Sequence, residues 1–450
     1  MIDLRLTSAI LIGKVIDFSI KRFGSSGATS APGYYALKID PLLVKKIGRK
    51  VDRTILVTGT NGKTTTARLI SALFNEGSAL HNREGSNLLR GIASVLVKDL
   101  GLLNRKKVST AIWETDEAAF CDILIQVKPD IVVVTNLFRD QLDRYGEVNT
   151  IYKKIKQALT DAPHKPILVL NANDPNVASL GHQYSGKVLY FGSNKHLNQA
   201  ISGVSDAKFC AVCGGKLKFS QIYYSHIGIY SCSECSFKTP VADVLIDDSA
   251  DLSITTHGSS FKIKTNLTGF YNQFNIAAAI SPWPASGYEM TDEEIKKIEG
   301  VRVVFGRQEE FILKNGLRVK IILVKNPTAF NQVLSTVGIG DIAVVLNDNY
   351  ADGRDVSWIW DVVIDSFKYK DKTFYVSGNR SWDMANRLKY AGINMNKIVV
   401  QNNVCELIRS AEKLNTNKDG TLYILPTYTA LLELEKQLSK RYYTPKFWHG

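Results

Sequence analysis

Eight consecutive residues, Gly59-Thr60-Asn61-Gly62-Lys63-Thr64-Thr65-Thr66, carry the strongest chemical signal in the chain. They follow a β-branched run, Thr54-Ile55-Leu56-Val57, and the stretch from about Lys63 reads as a helix. Glycines let backbone amides approach phosphate oxygens closely, and a helix N-terminus adds positive potential. Lys63 can neutralise the β- and γ-phosphates of ATP, and the Thr64 hydroxyl can join a magnesium shell. The general phosphate-loop pattern G-x-x-x-x-G-K-[ST] asks for glycine where Val57 stands, so this is the shorter GTNGKT form. A second magnesium ligand is expected at Glu114, which ends the run Ala111-Ile112-Trp113 within Trp113-Glu114-Thr115-Asp116-Glu117. In open α/β sheets, ligands gather outside the carboxyl ends of strands. The plainer reading makes Glu114, Asp116 and Glu117 acids favoured by a helix dipole. The next apolar run ends in polar residues, Thr135-Asn136 through Asp140-Gln141-Leu142-Asp143, which suit either a site or helix capping.

Four of the six cysteines form two CxxC pairs, Cys210/Cys213 and Cys232/Cys235, with 18 residues between the pairs. Outside a secretory setting, such knuckles indicate metal before disulfides. Four thiolates close a tetrahedral zinc shell and leave no open position, so the zinc would be structural. Lys216 and Lys218 inside the segment allow a nucleic-acid-binding ribbon; a solvated basic loop is the preferred reading. Cys121 and Cys405 stand alone in apolar stretches and read as buried small hydrophobes.

These residues need a frame to hold them. The 450 residues suggest about three domains, and 45% hydrophobic with 22% charged residues is ordinary globular usage. Apolar strands alternate with amphipathic stretches before and after a break, which signals parallel sheets covered by helices. The first series includes 54–57, 111–113, 130–134 and 166–170; the second includes 319–323, 342–346, 373–376, 397–400 and 422–425. The expected fold class is α/β, divided into an N-terminal helix and loop (1–34), a nucleotide-binding domain (35–306) and a C-terminal α/β domain (307–450). Residues 205–240 would be a ribbon inserted in the nucleotide-binding domain, and 302–310 a hinge. Residues 4–20 form a mostly apolar helix, either buried against the next domain, which is preferred, or resting on lipid. No apolar run is long enough to span a bilayer, and the first residues do not resemble a signal peptide. Lys and Arg exceed Asp and Glu by 13, which favours acidic partners without choosing among nucleic acid, polyphosphate and membrane.

With GTNGKTTT, WETDE and TNLFRDQLDRYGE, the chain resembles the Mur ligase family. Four further segments carry the same resemblance: Asn171-Ala172-Asn173-Asp174-Pro175, Gly269 to Asn275, Phe305-Gly306-Arg307-Gln308-Glu309, and Ser377-Gly378-Asn379-Arg380 with the stretch to Gly392. The four-cysteine insertion and the segment 347–361, containing Asp352-Gly353-Arg354-Asp355-Val356-Ser357-Trp358, narrow it to the MurT branch. The resemblance implies a Mur ligase-like central ATPase domain and a Rossmann-like C-terminal domain. It implies nucleotide contacts from Asn272, Asn275 and Arg307; the plainer reading of Asn272 and Asn275 is that they cap the helix that starts there. Family members carry His where Gln141 stands, which leaves a second magnesium site open, and Lys156 is the nearest candidate for a carbamylated lysine. Fewer residues precede the phosphate loop than a UDP-sugar-binding domain needs, which suits a lipid-linked substrate.

That branch works with a glutaminase subunit of the GatD type and amidates the α-carboxyl of D-glutamate in lipid II, in peptidoglycan synthesis. Implied here are an acyl phosphate made from ATP and ammonia supplied by the partner in a heterodimer. Asp355 matches the Asp that completes the partner's Cys-His pair; the plainer reading is a turn Asp after Gly353, and Asp348, Asp352 and Asp361 compete for the role. The implied location is cytoplasmic, peripheral at the inner membrane face, with no nucleic acid involved. Three rivals remain: an amino-acid-adding ligase of the folylpolyglutamate synthase kind, a zinc-ribbon NTPase acting on nucleic acid, and a non-catalytic scaffold that merely binds ATP.

Overall fold

A computed structural model describes residues 3–23, 30–48, 51–74, 79–82, 87–99, 108–139, 148–196, 207–247, 251–301, 307–313, 315–364, 367–401, 403–414 and 420–441. Its strands in chain order are β1 (Val51–Thr58), β2 (Ala79–His81), β3 (Val108–Glu114), β4 (Ile131–Val134), β5 (Ile167–Asn171), β6 (Val188–Ser193), β7 (Leu217–Tyr224), β8 (Ile227–Cys232), β9 (Val244–Ile246), β10 (Ser253–Thr256) and β11 (Ser259–Lys262). They continue with β12 (Arg307–Ile312), β13 (Arg318–Ile322), β14 (Ile342–Val345), β15 (Phe374–Ser377), β16 (Ile398–Val400) and β17 (Thr421–Pro426).

Nine strands make the first sheet, in the order β11-β10-β9-β6-β5-β4-β1-β3-β2. Strands β1 to β6 and β9 pair in parallel, and β10 runs antiparallel to both β9 and β11. The central strands read as continuous apolar runs because helices bury both faces. One core lies against the helices Leu89–Asp99, Phe120–Val127 and Val148–Asp161, and the other against Lys63–Leu73 and Phe270–Ile280. Three helices, Leu4–Phe23, Ala31–Ile39 and Leu43–Gly48, precede β1. The second packs tightly on the first sheet's helix layer: Gly33 N donates to Ser94 Oγ (2.8 Å), and a Cβ at Gly33 would lie 2.1 Å from Arg90 O.

A second sheet runs β12-β13-β17-β14-β15-β16. It is parallel except for β12, which pairs antiparallel with β13. Both sheets are thus mixed rather than uniformly parallel, because short hairpin connections close each far edge. The cysteine segment stands apart as the two-stranded antiparallel β7–β8 hairpin, whose inner end, with Tyr223, Tyr224 and Ile227, is buried in the second core of the first sheet.

Candidate active site

Register places the phosphate loop. Strand β1 lies between β3 and β4, with Val57 opposite both Glu114 and Val133. The loop leaving β1 therefore emerges between the Glu114 end of β3 and the Thr135-Asn136 end of β4. Thr60 N donates to Asn136 O (2.9 Å) and Asn61 N to Asn136 Oδ1 (2.8 Å). Asn136 Nδ2 and Thr135 Oγ1 both donate to Asn61 O, at 3.0 and 2.8 Å. The loop's shape needs glycine at two points. Gly59 has φ +126° and Gly62, which precedes the helix Lys63–Leu73, has φ +85°. A Cβ at Gly59 would lie 2.2 Å from Thr135 Oγ1, and one at Gly62 would lie 2.0 Å from Asn275 Oδ1.

Lys63 is buried, and its ammonium donates to Glu117 Oε2 (2.8 Å), to Gly59 O and to Thr60 O (3.3 Å). Burial pushes the Lys63 ammonium down, but the charges of Glu117 and Asp116 outweigh it and hold the group above its ordinary value. Burial likewise pushes the Glu117 carboxyl up, yet the Lys63 and Lys325 ammonium groups bring it to about 2. Thr64 Oγ1 donates to Glu114 Oε1 (3.0 Å), so the two expected magnesium ligands stand side by side. Asn82 fixes Glu114 from behind: Asn82 Nδ2 donates to Glu114 O (2.9 Å), and Glu114 N donates to Asn82 Oδ1 (2.8 Å). A hydroxyl and a carboxylate so placed suit a hard, oxygen-seeking cation.

A cleft opens beside the loop, lined by Asn61, Gly62, Thr65, Asn272 and Asn275 on one side and by Ile322, Lys325, Gln332 and Val333 of the second α/β unit on the other. Leu267 and Tyr271 add apolar wall. Asn272 and Asn275 occupy the first turns of the helix Phe270–Ile280, where Asn272 Nδ2 donates to Thr268 O (2.8 Å) and Asn275 Nδ2 to Asn272 Oδ1 (3.0 Å). Both line the cleft from inside the helix and neither caps it, since the N-cap is Gly269 and no side chain accepts from the first-turn amides. Across the cleft, Asn326 caps the helix Pro327–Thr336 and exchanges amide hydrogen bonds with Asn61 (3.1 and 3.4 Å).

The loop after β4 continues the link. Phe138 N donates to Thr60 Oγ1 (3.0 Å), Leu137 N donates to Asp174 Oδ2 (2.9 Å), and the Arg139 guanidinium pairs with Asp361 of the second unit. Asp174 also caps the helix Pro175–Ser179 and lies 3.3 Å from Nε2 of the fully buried His226, at the tip of the β7–β8 hairpin. Asp140, Gln141 and Asp143 lie outside the described residues, as does the Arg307 side chain; the Arg307 backbone begins β12. Lys156 stands on the helix Val148–Asp161 with its ammonium 5.9 Å from the Tyr152 ring.

Asp355 opens the 3-10 helix Ser357–Asp361 and accepts from Ser357 N (2.8 Å). Its carboxyl is held below the ordinary value by Ser357 and by the Arg139 charge. Its competitors are occupied otherwise. Asp352 is buried and accepts from Thr429 and Asn349, Asp348 faces Arg380 (3.6 Å), and Asp361 takes Arg139.

The four cysteine sulfurs lie within 4.8 Å of one another. Cys213 and Cys232 Sγ are 3.4 Å apart, and Cys210 and Cys235 Sγ are 3.9 Å apart. Thiolates 2.3 Å from a tetrahedral centre are about 3.8 Å apart, so the cluster has the size of a four-thiolate metal site. Gly215 N and Glu234 N donate to Cys213 and Cys232 Sγ (3.4 Å each), as knuckle amides do around metal-bound thiolates. Cys121 and Cys405 are half-buried rather than fully buried.

Sequence reading alone did not find Glu117 as the Lys63 partner, nor Asn82, Lys325 and Asn326. Only Glu117 carried a signal, its place in WETDE; the others meet the site through the fold.

Comparison with known proteins agrees with this geometry. The family model for the Mur ligase middle domain matches residues 57–282, and that for the MurT ligase C-terminal domain matches residues 323–431. A solved pseudomurein peptide ligase type C from Methanothermus fervidus superposes with a TM-score of 0.65 at 20% identity, over 86% of this chain and 79% of that one. The fold is that of the Mur-type ligases. Subunit MurT of lipid II isoglutaminyl synthase (glutamine-hydrolyzing) from Staphylococcus aureus strain COL is 31% identical, over 98% of this chain and 99% of its own length. The Streptococcus pneumoniae R6 subunit of the same name is 30% identical over 98% of both chains. The chain belongs to the MurT family of Mur ligases.

Proposed function

We propose that this chain is the synthetase subunit of a lipid II isoglutaminyl synthase, amidating the α-carboxyl of D-glutamate in the lipid II stem peptide with ammonia from a glutaminase subunit. The observation that carries the reading is the joint presence of a built phosphate loop and an available Asp355 on the unit facing it across the cleft. ATP would lie with its phosphates on Gly59–Thr65 and its base in the cleft lined by Leu267, Tyr271, Asn272 and Asn275. Thr64 and Glu114 would hold Mg2+, which supplies charge neutralisation at the phosphates. A carboxylate oxygen of the substrate attacks the γ-phosphorus and ADP leaves. Ammonia then attacks the acyl carbon, phosphate departs and the nitrogen loses a proton. Lys63 stabilises the charge on the transferring group, and Arg307 is assigned to the same task.

The domain division follows: 35–306 as the ATP-binding domain carrying the 205–240 ribbon, and 307–450 as the domain that meets the partner. Zn2+ in the cysteine cluster holds the ribbon, whose hairpin buttresses the loop after β4 through His226 and Asp174. The supply of ATP makes the cytoplasm the setting.

Support for the glutaminase partner comes from exposed aromatic residues on the α/β unit that carries Asp355. Tyr350, Trp360, Trp382 and Tyr390 are all more than half exposed, and Trp360 lies 5.7 Å from Tyr390. Exposed aromatics are the usual anchors of protein interfaces. Asp355 would orient the imidazole of the partner's Cys-His pair. Asp355→Asn in the co-purified complex should abolish glutamine-dependent amidation while ammonium salts still support it. Wild-type glutamine-dependent activity in that variant would refute the assignment.

A further inference from the structure

The first helix, Leu4–Phe23, is apolar on its outer face as well as on the face it buries. Its inner face packs closely: Ala9 is fully buried, Ile10 is buried beside it, and a Cβ at Gly13 would lie 2.7 Å from Val97 Cγ1. Large apolar residues stand on the outward face as well. Leu4, Leu11, Val15 and Phe18 are 50–76% exposed, and their spacing puts them on one helical face. A surface helix ordinarily presents polar side chains there.

The charge around this face has one sign. Residues 1–48 hold seven Lys and Arg, three Asp and no Glu. Each of the three acids is already paired: Asp3 and Asp40 with Lys46, and Asp17 with Lys21, all at 2.7 Å. Arg5 and Arg22 are exposed near the two ends of the stripe, and Lys14 borders it. No helix among the described residues is long and apolar enough to cross a membrane. An outward apolar stripe, a basic border and insufficient length to span define a helix that lies in a membrane interface.

We propose that the outer face of Leu4–Phe23 seats the protein on an anionic bilayer surface. Leu4, Leu11, Val15 and Phe18 enter the boundary between headgroups and acyl chains, and Lys14 and Arg22 meet lipid phosphates. Charge selects lipid over a second copy of this chain, which would bring the same basic border against itself. A single interfacial helix gives reversible attachment, which suits an enzyme that must leave one lipid-linked substrate for the next.

Vesicle flotation of the full-length protein with its co-expressed partner tests this, without ATP or substrate, so the outcome is separate from the reaction assigned above. The wild type should float with vesicles of 70% phosphatidylcholine and 30% phosphatidylglycerol. It should bind roughly tenfold more weakly to phosphatidylcholine alone and at high salt. Leu11→Gln with Phe18→Gln should abolish flotation while leaving the ATP-induced thermal shift unchanged, which certifies the fold. Lys14→Glu with Arg22→Glu should lower affinity for anionic vesicles at least tenfold or so. The proposal is overturned if the wild type does not float with anionic vesicles, or if the Leu11/Phe18 variant floats equally well. It is also overturned if the wild type self-associates through this face, losing that association in the variant, while neither protein binds lipid.

Discussion

Replacing Glu117 by Gln removes the charge that holds Lys63 while keeping the side chain's shape. The two groups meet at 2.8 Å with both side chains 8% exposed, so the surviving ammonium would be left in a buried place with weaker compensation. Removing one partner of such a pair costs about 3–5 kcal/mol. Lys63 would keep the Gly59 and Thr60 carbonyls, which favours the lower end. The depression of the Glu117 carboxyl from 4.5 to about 2 gives a similar figure, about 3 kcal/mol at 1.36 kcal/mol per pK unit. At roughly 2–4 °C per kcal/mol for a unit of this size, melting at pH 7 should fall by about 6 °C or more.

The pH dependence has a definite sign. A carboxyl depressed on folding stabilises fully above its unfolded value and loses that contribution as pH falls through its folded value. The melting gap between wild type and Glu117→Gln should therefore be constant from pH 7 to about 5 and close between pH 4.5 and 2. Phosphates must displace Glu117 to engage Lys63, so Mg-ATP should stabilise the variant against heat more than it stabilises the wild type. Differential scanning fluorimetry with and without Mg-ATP, across pH, reads all three. Equal stability at pH 7, a gap that widens on acidification, or a smaller ATP shift in the variant would each refute the reasoning.

Gly62→Ala should cost at least tenfold in ATP affinity by calorimetry, since its Cβ would sit 2.0 Å from Asn275 Oδ1 and its φ is +85°; unchanged affinity would show that the loop does not need this shape. Metal analysis should find one zinc per chain, and Cys213→Ser should lower both zinc content and melting temperature; a metal-free wild type, equally stable in chelator, would remove zinc from the ribbon.

Much of the site was legible because its chemistry is local in the chain. The loop Gly59–Thr65 must follow a strand and open a helix to work, so its own sequence states its setting. The CxxC pairs state theirs in the same way, and the cluster's dimensions agree. The apolar runs foretold the central strands of both sheets, since a strand buried on both faces has no periodicity to hide. Short strands such as β2 and β9 carry too few residues to stand out from loops. The helix Leu4–Phe23 was read as apolar, but which of its faces would be covered depended on where Ala9 and Gly13 found a neighbour.

What the sequence offered by itself was the residue types for a chemistry: a lysine and a threonine beside glycines that suit phosphate, a carboxylate that suits magnesium, four thiolates that suit a metal. The tertiary structure alone decided the partnerships. Glu117 reaches Lys63 across 54 residues, Asn82 reaches Glu114 across 32, and Asn326 reaches Asn61 across 265. Those separations are set by strand order and by the closure of two sheets around one cleft. A pairing between distant segments leaves no mark on the local pattern of either, so hydrogen-bonding amides and a buried acid could be recognised as parts of the site only once the chain had folded.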